Sequence, residues 1–134
     1  MRVAYLTLDE VNRALAIGFA ARAGIELELP ELRDDLNHFD AVLYDLDFLP
    51  AECRDRLRFV PGGGELPQVV AVHSYNLTPR QRRSLHRLGA LVTRRMRASL
   101  FKELRLLARA KQADAADSLS PTRQSGNSCR DRPR

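Results

Sequence analysis

The sequence predicts an α/β fold, a five-stranded parallel sheet with helices on both faces. Three observations predict it. Short apolar runs alternate along the chain with segments of helical period. The connections between them are short and marked by Gly or Pro, as strand–helix–strand crossovers require. The run Ala41-Val42-Leu43-Tyr44 stops abruptly at two acids, Asp45 and Asp47. That is how a strand buried on both faces ends. In open α/β sheets, ligands bind beyond the carboxyl ends of the strands, so these two acids are the first candidates for a site.

Size and charge bound the rest. With 134 residues, 44% hydrophobic and 29% charged, the chain reads as one soluble domain with a real core. No apolar run is long enough to span a bilayer, and MRVAYLTL lacks the signal-peptide pattern. Cys53 and Cys129 lie far apart without metal-ligand spacing. They read as free thiols of a cytoplasmic protein. Residues 1–79 carry 7 basic and 13 acidic residues, a net −6; residues 80–112 carry 11 and 1, a net +10. The basic character therefore belongs to one segment.

The first predicted strand is VAYLTL, residues 3–8. Asp9 is placed to cap a helix starting near Glu10. Val11, Leu15 and Gly18, flanked by Ala14 and Phe19, form an apolar stripe at helical spacing, and Ala23-Gly24 ends that helix. Residues 25–29 alternate strictly and predict a half-exposed edge strand. Pro30 opens a short helix with Leu32 and Leu36 on one face, and the strand at 41–46 follows. A weaker helix spans 51–59. Gly62-Gly63-Gly64 lacks the Lys-Ser/Thr of a phosphate loop and precedes a strand, so it reads as a connection. Val69-Val70-Ala71-Val72 is the fourth strand, running into His73 and Ser74. Thr78-Pro79-Arg80-Gln81 starts a helix with a capping box, and Gly89 stops it. A short strand over 90–93 and a last helix from Ser99, with Leu100, Leu104 and Leu107 in one stripe, complete the domain at residue 112. Residues 113–134 turn to Ser, Asp, Pro, Arg and Gly without period and read as a disordered tail.

Five features sit at the spacing of a known family: Asn12-Arg13, Ala23-Gly24, FDAVLYD (39–45), VVAVHS (69–74) and RLGA (87–90). Together they resemble the receiver domain of bacterial response regulators. The resemblance implies a flavodoxin-like (βα)5 fold with strand order 2-1-3-4-5. It also implies a site at the carboxyl edge. A third-strand aspartate accepts a phosphoryl group while Mg²⁺, held by that aspartate and an acidic pair after strand 1, neutralises charge. A Ser/Thr after strand 4 and a Lys on strand 5 hold the phosphoryl oxygens. Asp45 falls on the phosphoacceptor position, and Asp45 and Asp9 are the metal-ligand candidates. The acidic pair, however, falls on Thr7 and Leu8. Asp9 and Glu10 replace it only if the first strand runs two residues further. The Ser/Thr position falls on His73, with Ser74 next. The Lys position falls near Arg94 or Arg95, and Arg does not reproduce an ammonium. Phe48-Leu49-Pro50 carries one residue more than the family's ending.

These departures lead to the expectation of an atypical receiver with impaired phosphorylation, acting as an interaction module and not as an enzyme. The alternative is a conventional phospho-accepting regulator using Asp45. The resemblance implies that the fourth helix, fifth strand and fifth helix form the partner face, for a histidine kinase, another signalling protein or a second copy. Arg80, Arg83, Arg87, Arg95 and Arg97 would make that face positive and suited to an acidic partner. Nucleic-acid binding is less expected, because Phe101 is the one aromatic between Arg80 and Arg109.

Overall fold

The computed structural model describes residues 1–31, 35–50, 57–63 and 66–118. Strand β1 (Arg2–Leu6) leads to helix α1 (Glu10–Arg22), followed by β2 (Glu26–Glu28), β3 (Ala41–Asp45) and a 3₁₀ turn, Leu46–Phe48. Then come β4 (Val70–His73), α2 (Pro79–Arg87), β5 (Leu91–Thr93) and α3 (Ala98–Ser118). The sheet order is β2-β1-β3-β4-β5, and every neighbouring pair is parallel. This is the architecture and strand order expected from the sequence.

The strands divide their side chains by period two between two apolar layers. Val3, Tyr5, Ala41, Leu43, Val69 and Ala71 face α1 and α3, against Ala16, Ala20, Leu100, Phe101 and Leu104. Ala4, Leu6, Val42, Tyr44, Val70 and Val72 face the other way, against Leu36, Phe39, Leu46, Leu49 and Leu85. Helix caps follow the sequence closely. Asp9 accepts from Asn12 N–H, Thr78 and Gln81 form a reciprocal capping box, and Gly24 (φ +69°) and Gly89 (φ +98°) follow the helix ends in the left-handed region.

Four details differ from the sequence reading or fall outside the description. First, the stripe Val11-Leu15-Gly18 points to solvent, while Ala16 and Ala20 of α1 are buried. The sheet surface takes the smaller side chains of this helix. Second, Pro30, Glu31, Asp35 and Leu36 are not helical, although Leu36 is buried; residues 32–34 lie outside the described set. Third, residues 57–59 are not helical, and the remainder of the predicted 51–59 helix, with Cys53, lies outside the described residues, as does Cys129. Fourth, α3 continues through Ser118, past the predicted start of the tail at 113. The high helix propensity of Ala113, Ala115 and Ala116 carries the helix beyond its apolar stripe. Residues 119–134 are not described. None of the described helices is long and apolar enough to cross a membrane.

Candidate functional site

Parity in the sheet assembles the site. Asp45 and His73 are register partners on β3 and β4, and both follow the rows of Leu43 and Ala71 toward the α1/α3 layer. Tyr5 of β1 shares that face, and Thr7 comes two residues later. Alternation alone therefore brings Tyr5, Thr7, Asp45 and His73 together at the carboxyl edge. Helix α1, started by Asp9, lowers Asn12 onto the same point.

The Asp45 side chain is fully buried. Its Oδ2 accepts from Thr7 Oγ1 at 2.7 Å, from Asn12 Nδ2 at 2.8 Å and from Tyr5 OH at 3.4 Å. Its Oδ1 has no hydrogen-bond partner among the described residues. The segments that follow β1 and β3 are tied together, Leu8 N–H donating to the Phe48 carbonyl at 3.0 Å. The 3₁₀ turn places Phe48 there, which gives the extra residue before Pro50 a structural use. Arg13 fastens the entry to α1 by donating to the Thr7 carbonyl at 3.0 Å.

Tyr5 OH also lies 2.8 Å from His73 Nε2. Burial, reinforced by the Asp45 carboxyl, pushes the Tyr5 phenol far above its ordinary value, so the phenol keeps its proton. Burial pulls His73 below the ordinary imidazole value, against the opposing pull of Asp45 and Asp47. His73 is therefore neutral at pH 7, and its 3.9 Å approach to Asp45 Oδ1 is a polar contact and not an ion pair.

Asp47 belongs to a second cluster. It accepts from Ser74 Oγ at 2.5 Å, Tyr75 N–H at 2.8 Å and Asn76 Nδ2 at 3.2 Å. Partial burial is the largest influence on Asp47 and raises it. The three hydrogen bonds and nearby His73 outweigh that and hold the carboxyl below its usual range. Ser74 is thus turned to Asp47 of the 3₁₀ turn.

The remaining candidates lie elsewhere. Asp9 is occupied at the α1 cap, and Glu10 is exposed in its first turn. Leu8 is 58% exposed. Arg94 and Arg95 are exposed in the loop after β5, and no described hydrogen bond joins either to Asp45. The residues present do not fit a Mg²⁺ ion at Asp45. The ion wants several hard oxygen ligands. The residues that follow β1, Thr7 and Leu8, carry no carboxylate, and no group of three potential ligands converges among the described residues. Tyr5 and Asn12 are the partners of Asp45 that the sequence reading missed. Counting alternate residues back from Thr7 would have found Tyr5.

The candidate partner face lies along the β5 edge. Arg80, Arg83 and Arg87 on α2 and Arg94, Arg95 and Arg97 after β5 are exposed, and none pairs with an acid among the described residues. Arg105 is different: it is half-buried and donates to the Ala23 carbonyl at the end of α1.

No protein-family model matches this chain, and no curated protein matches it in sequence. Solved structures do match it in fold. A signal receiver domain of a two-component histidine kinase from Clostridium thermocellum superposes with a TM-score of 0.60 at 13% identity, covering 80% of this chain and 96% of that one. The receiver domain of a sensor histidine kinase from Pseudomonas aeruginosa, with magnesium coordinated in its active-site cleft, gives 0.54 at 16% identity, covering 80% and 96%. The ChxR receiver domain from Chlamydia trachomatis gives 0.53 at 13%, covering 79% and 96%. The chain therefore has the receiver-domain fold. It is a flavodoxin-like five-stranded parallel sheet, with three helices among the described residues and Asp45 at the end of its central strand.

Proposed function

We propose that this chain is an atypical receiver of two-component signalling that binds a protein partner without aspartyl phosphorylation and has no catalytic activity of its own. The supporting observation is the Asp45 carboxyl, fully buried with Oδ2 saturated by Thr7 and Asn12. A phosphoacceptor must reach an incoming phosphoryl group and have its charge compensated. Among the described residues neither an acidic pair nor a Lys hydrogen-bonds or ion-pairs with it. Treatment of the full chain with acetyl phosphate or phosphoramidate and Mg²⁺, read by intact mass, is expected to give no adduct. A single adduct that disappears in Asp45→Asn would overturn the proposal.

Conventional phosphorylation at Asp45 is the second reading. It is favoured by one observation, the bare Oδ1. On that reading the buried carboxyl would first have to become accessible.

The partner we infer is a protein with an acidic surface, such as a histidine kinase or another signalling protein, docked on α2, β5 and the start of α3. Six exposed arginines, unpaired among the described residues, would steer its approach and select against basic surfaces. The same charge opposes a homodimer through this face, because a two-fold axis sets each patch against itself.

A further inference from the structure

Helix α1 leaves uncovered the face that its sequence makes most apolar. Val11 is 67% exposed, Leu15 47% and Ile17 49%, and Ala14, Gly18 and Ala21 between them are also exposed. The face carries charge only at its two ends, Glu10 and Arg22, and neither is ion-paired among the described residues. Gly18 adds an independent observation. A side-chain carbon there would meet nothing within 4 Å, so nothing among the described residues requires glycine. Mid-helix glycine instead of alanine costs roughly fivefold in the folding equilibrium. Its use on an open helix surface fits a backbone that another helix approaches closely.

We propose that this face binds a second copy of itself, through an antiparallel α1–α1 contact centred at residue 16. In that register every exposed position has a complement at the same height. Ala14 lies level with Gly18 of the partner helix, Val11 with Ala21, and Glu10 with Arg22. Leu15 and Ile17 flank the axis and meet their own copies. The small pair Ala14/Gly18 lies near the centre, where the backbones come closest. The end charges are of opposite sign, so the patch is electrostatically self-complementary, whereas the arginine face along β5 repels itself. A two-fold interface requires this property. The helix has 13 residues and is about 20 Å long, so one such pair buries less than a standard interface. The dimer is therefore expected to be weak and populated only at high protein concentration.

The test is sedimentation equilibrium of the full chain from about 5 µM to about 1 mM at low ionic strength. A monomer–dimer equilibrium is expected. A monomer at every concentration would overturn the proposal and leave the face to another protein. Gly18→Gln fills open space with a better helix former, so its melting temperature should rise while dimerisation falls at least tenfold. A folded Gly18→Gln protein that still dimerises like the parent would remove α1 from the interface. Glu10→Lys and Arg22→Glu should each weaken the dimer, and an equimolar mixture of the two should recover it. Failure of the mixture to recover, with the parent dimeric, would overturn the antiparallel register.

Discussion

Removing the Asp45 carboxyl should destabilise the protein, and the structure gives the size of the effect. In Asp45→Ala, Thr7 Oγ1 and Asn12 Nδ2 lose their acceptor at 2.7 and 2.8 Å. Tyr5 keeps a partner, because His73 Nε2 lies 2.8 Å away. Two donors are therefore orphaned, each costing about 1–3 kcal/mol when buried. Thr7 is 6% exposed and pays in full, while half-buried Asn12 can turn partly to water. The expected loss is about 2–4 kcal/mol, a large share of the roughly 5–15 kcal/mol of an ordinary domain. Asp45→Asn keeps an acceptor at the Oδ2 position and should lose only about 1 kcal/mol. Urea denaturation followed by circular dichroism measures both, with the slope checked for constancy. A conventional acceptor site, crowded by acids, would instead relax when a carboxylate is removed. A neutral or stabilising Asp45→Ala would refute the buried-network account.

The depressed His73 has a signed consequence. The unfolded state takes up its imidazole proton near pH 6.5, before the folded state does, so the stability held above that pH is lost as pH falls toward the folded value. Below pH 6.5 the stability should fall with falling pH, with a slope of at most about 1.4 kcal/mol per pH unit for one proton, and subtracting His73→Gln denaturation curves between pH 7.5 and 5 should isolate it. Thr78→Ala removes one half of the α2 capping box and should cost about 1 kcal/mol, again by urea denaturation. Phe101→Ala, at a fully buried position, should cost about 3–5 kcal/mol. Reversing Arg83 and Arg87 to Glu should leave the melting temperature nearly unchanged but abolish capture of an acidic partner. Unchanged binding of the reversed variant in a pull-down would remove the basic face from the interface.

The sequence by itself determined the elements whose signals are local. Strands β3 and β4 are continuous apolar runs, α2 announces itself through Thr78-Pro79-Arg80-Gln81, and Asp9 marks the start of α1. Their fixed hydrogen-bonding and steric requirements need no distant partner. The strand order and the placing of Asp45 at the carboxyl edge came through the family resemblance, and they hold in the fold. What only the tertiary structure decided is which of several adequate faces each element buries. Helix α1 offers two apolar arcs, and the close approach of the sheet selects Ala16 and Ala20, leaving Val11, Leu15 and Gly18 outside. Ser74 stands within reach of either acid by sequence, and the 3₁₀ turn at Leu46–Phe48 gives it to Asp47. Tyr5 reaches His73 across 68 positions of chain because both side chains alternate onto one face of the same sheet. That contact depends on register between strands, which no single stretch of sequence contains.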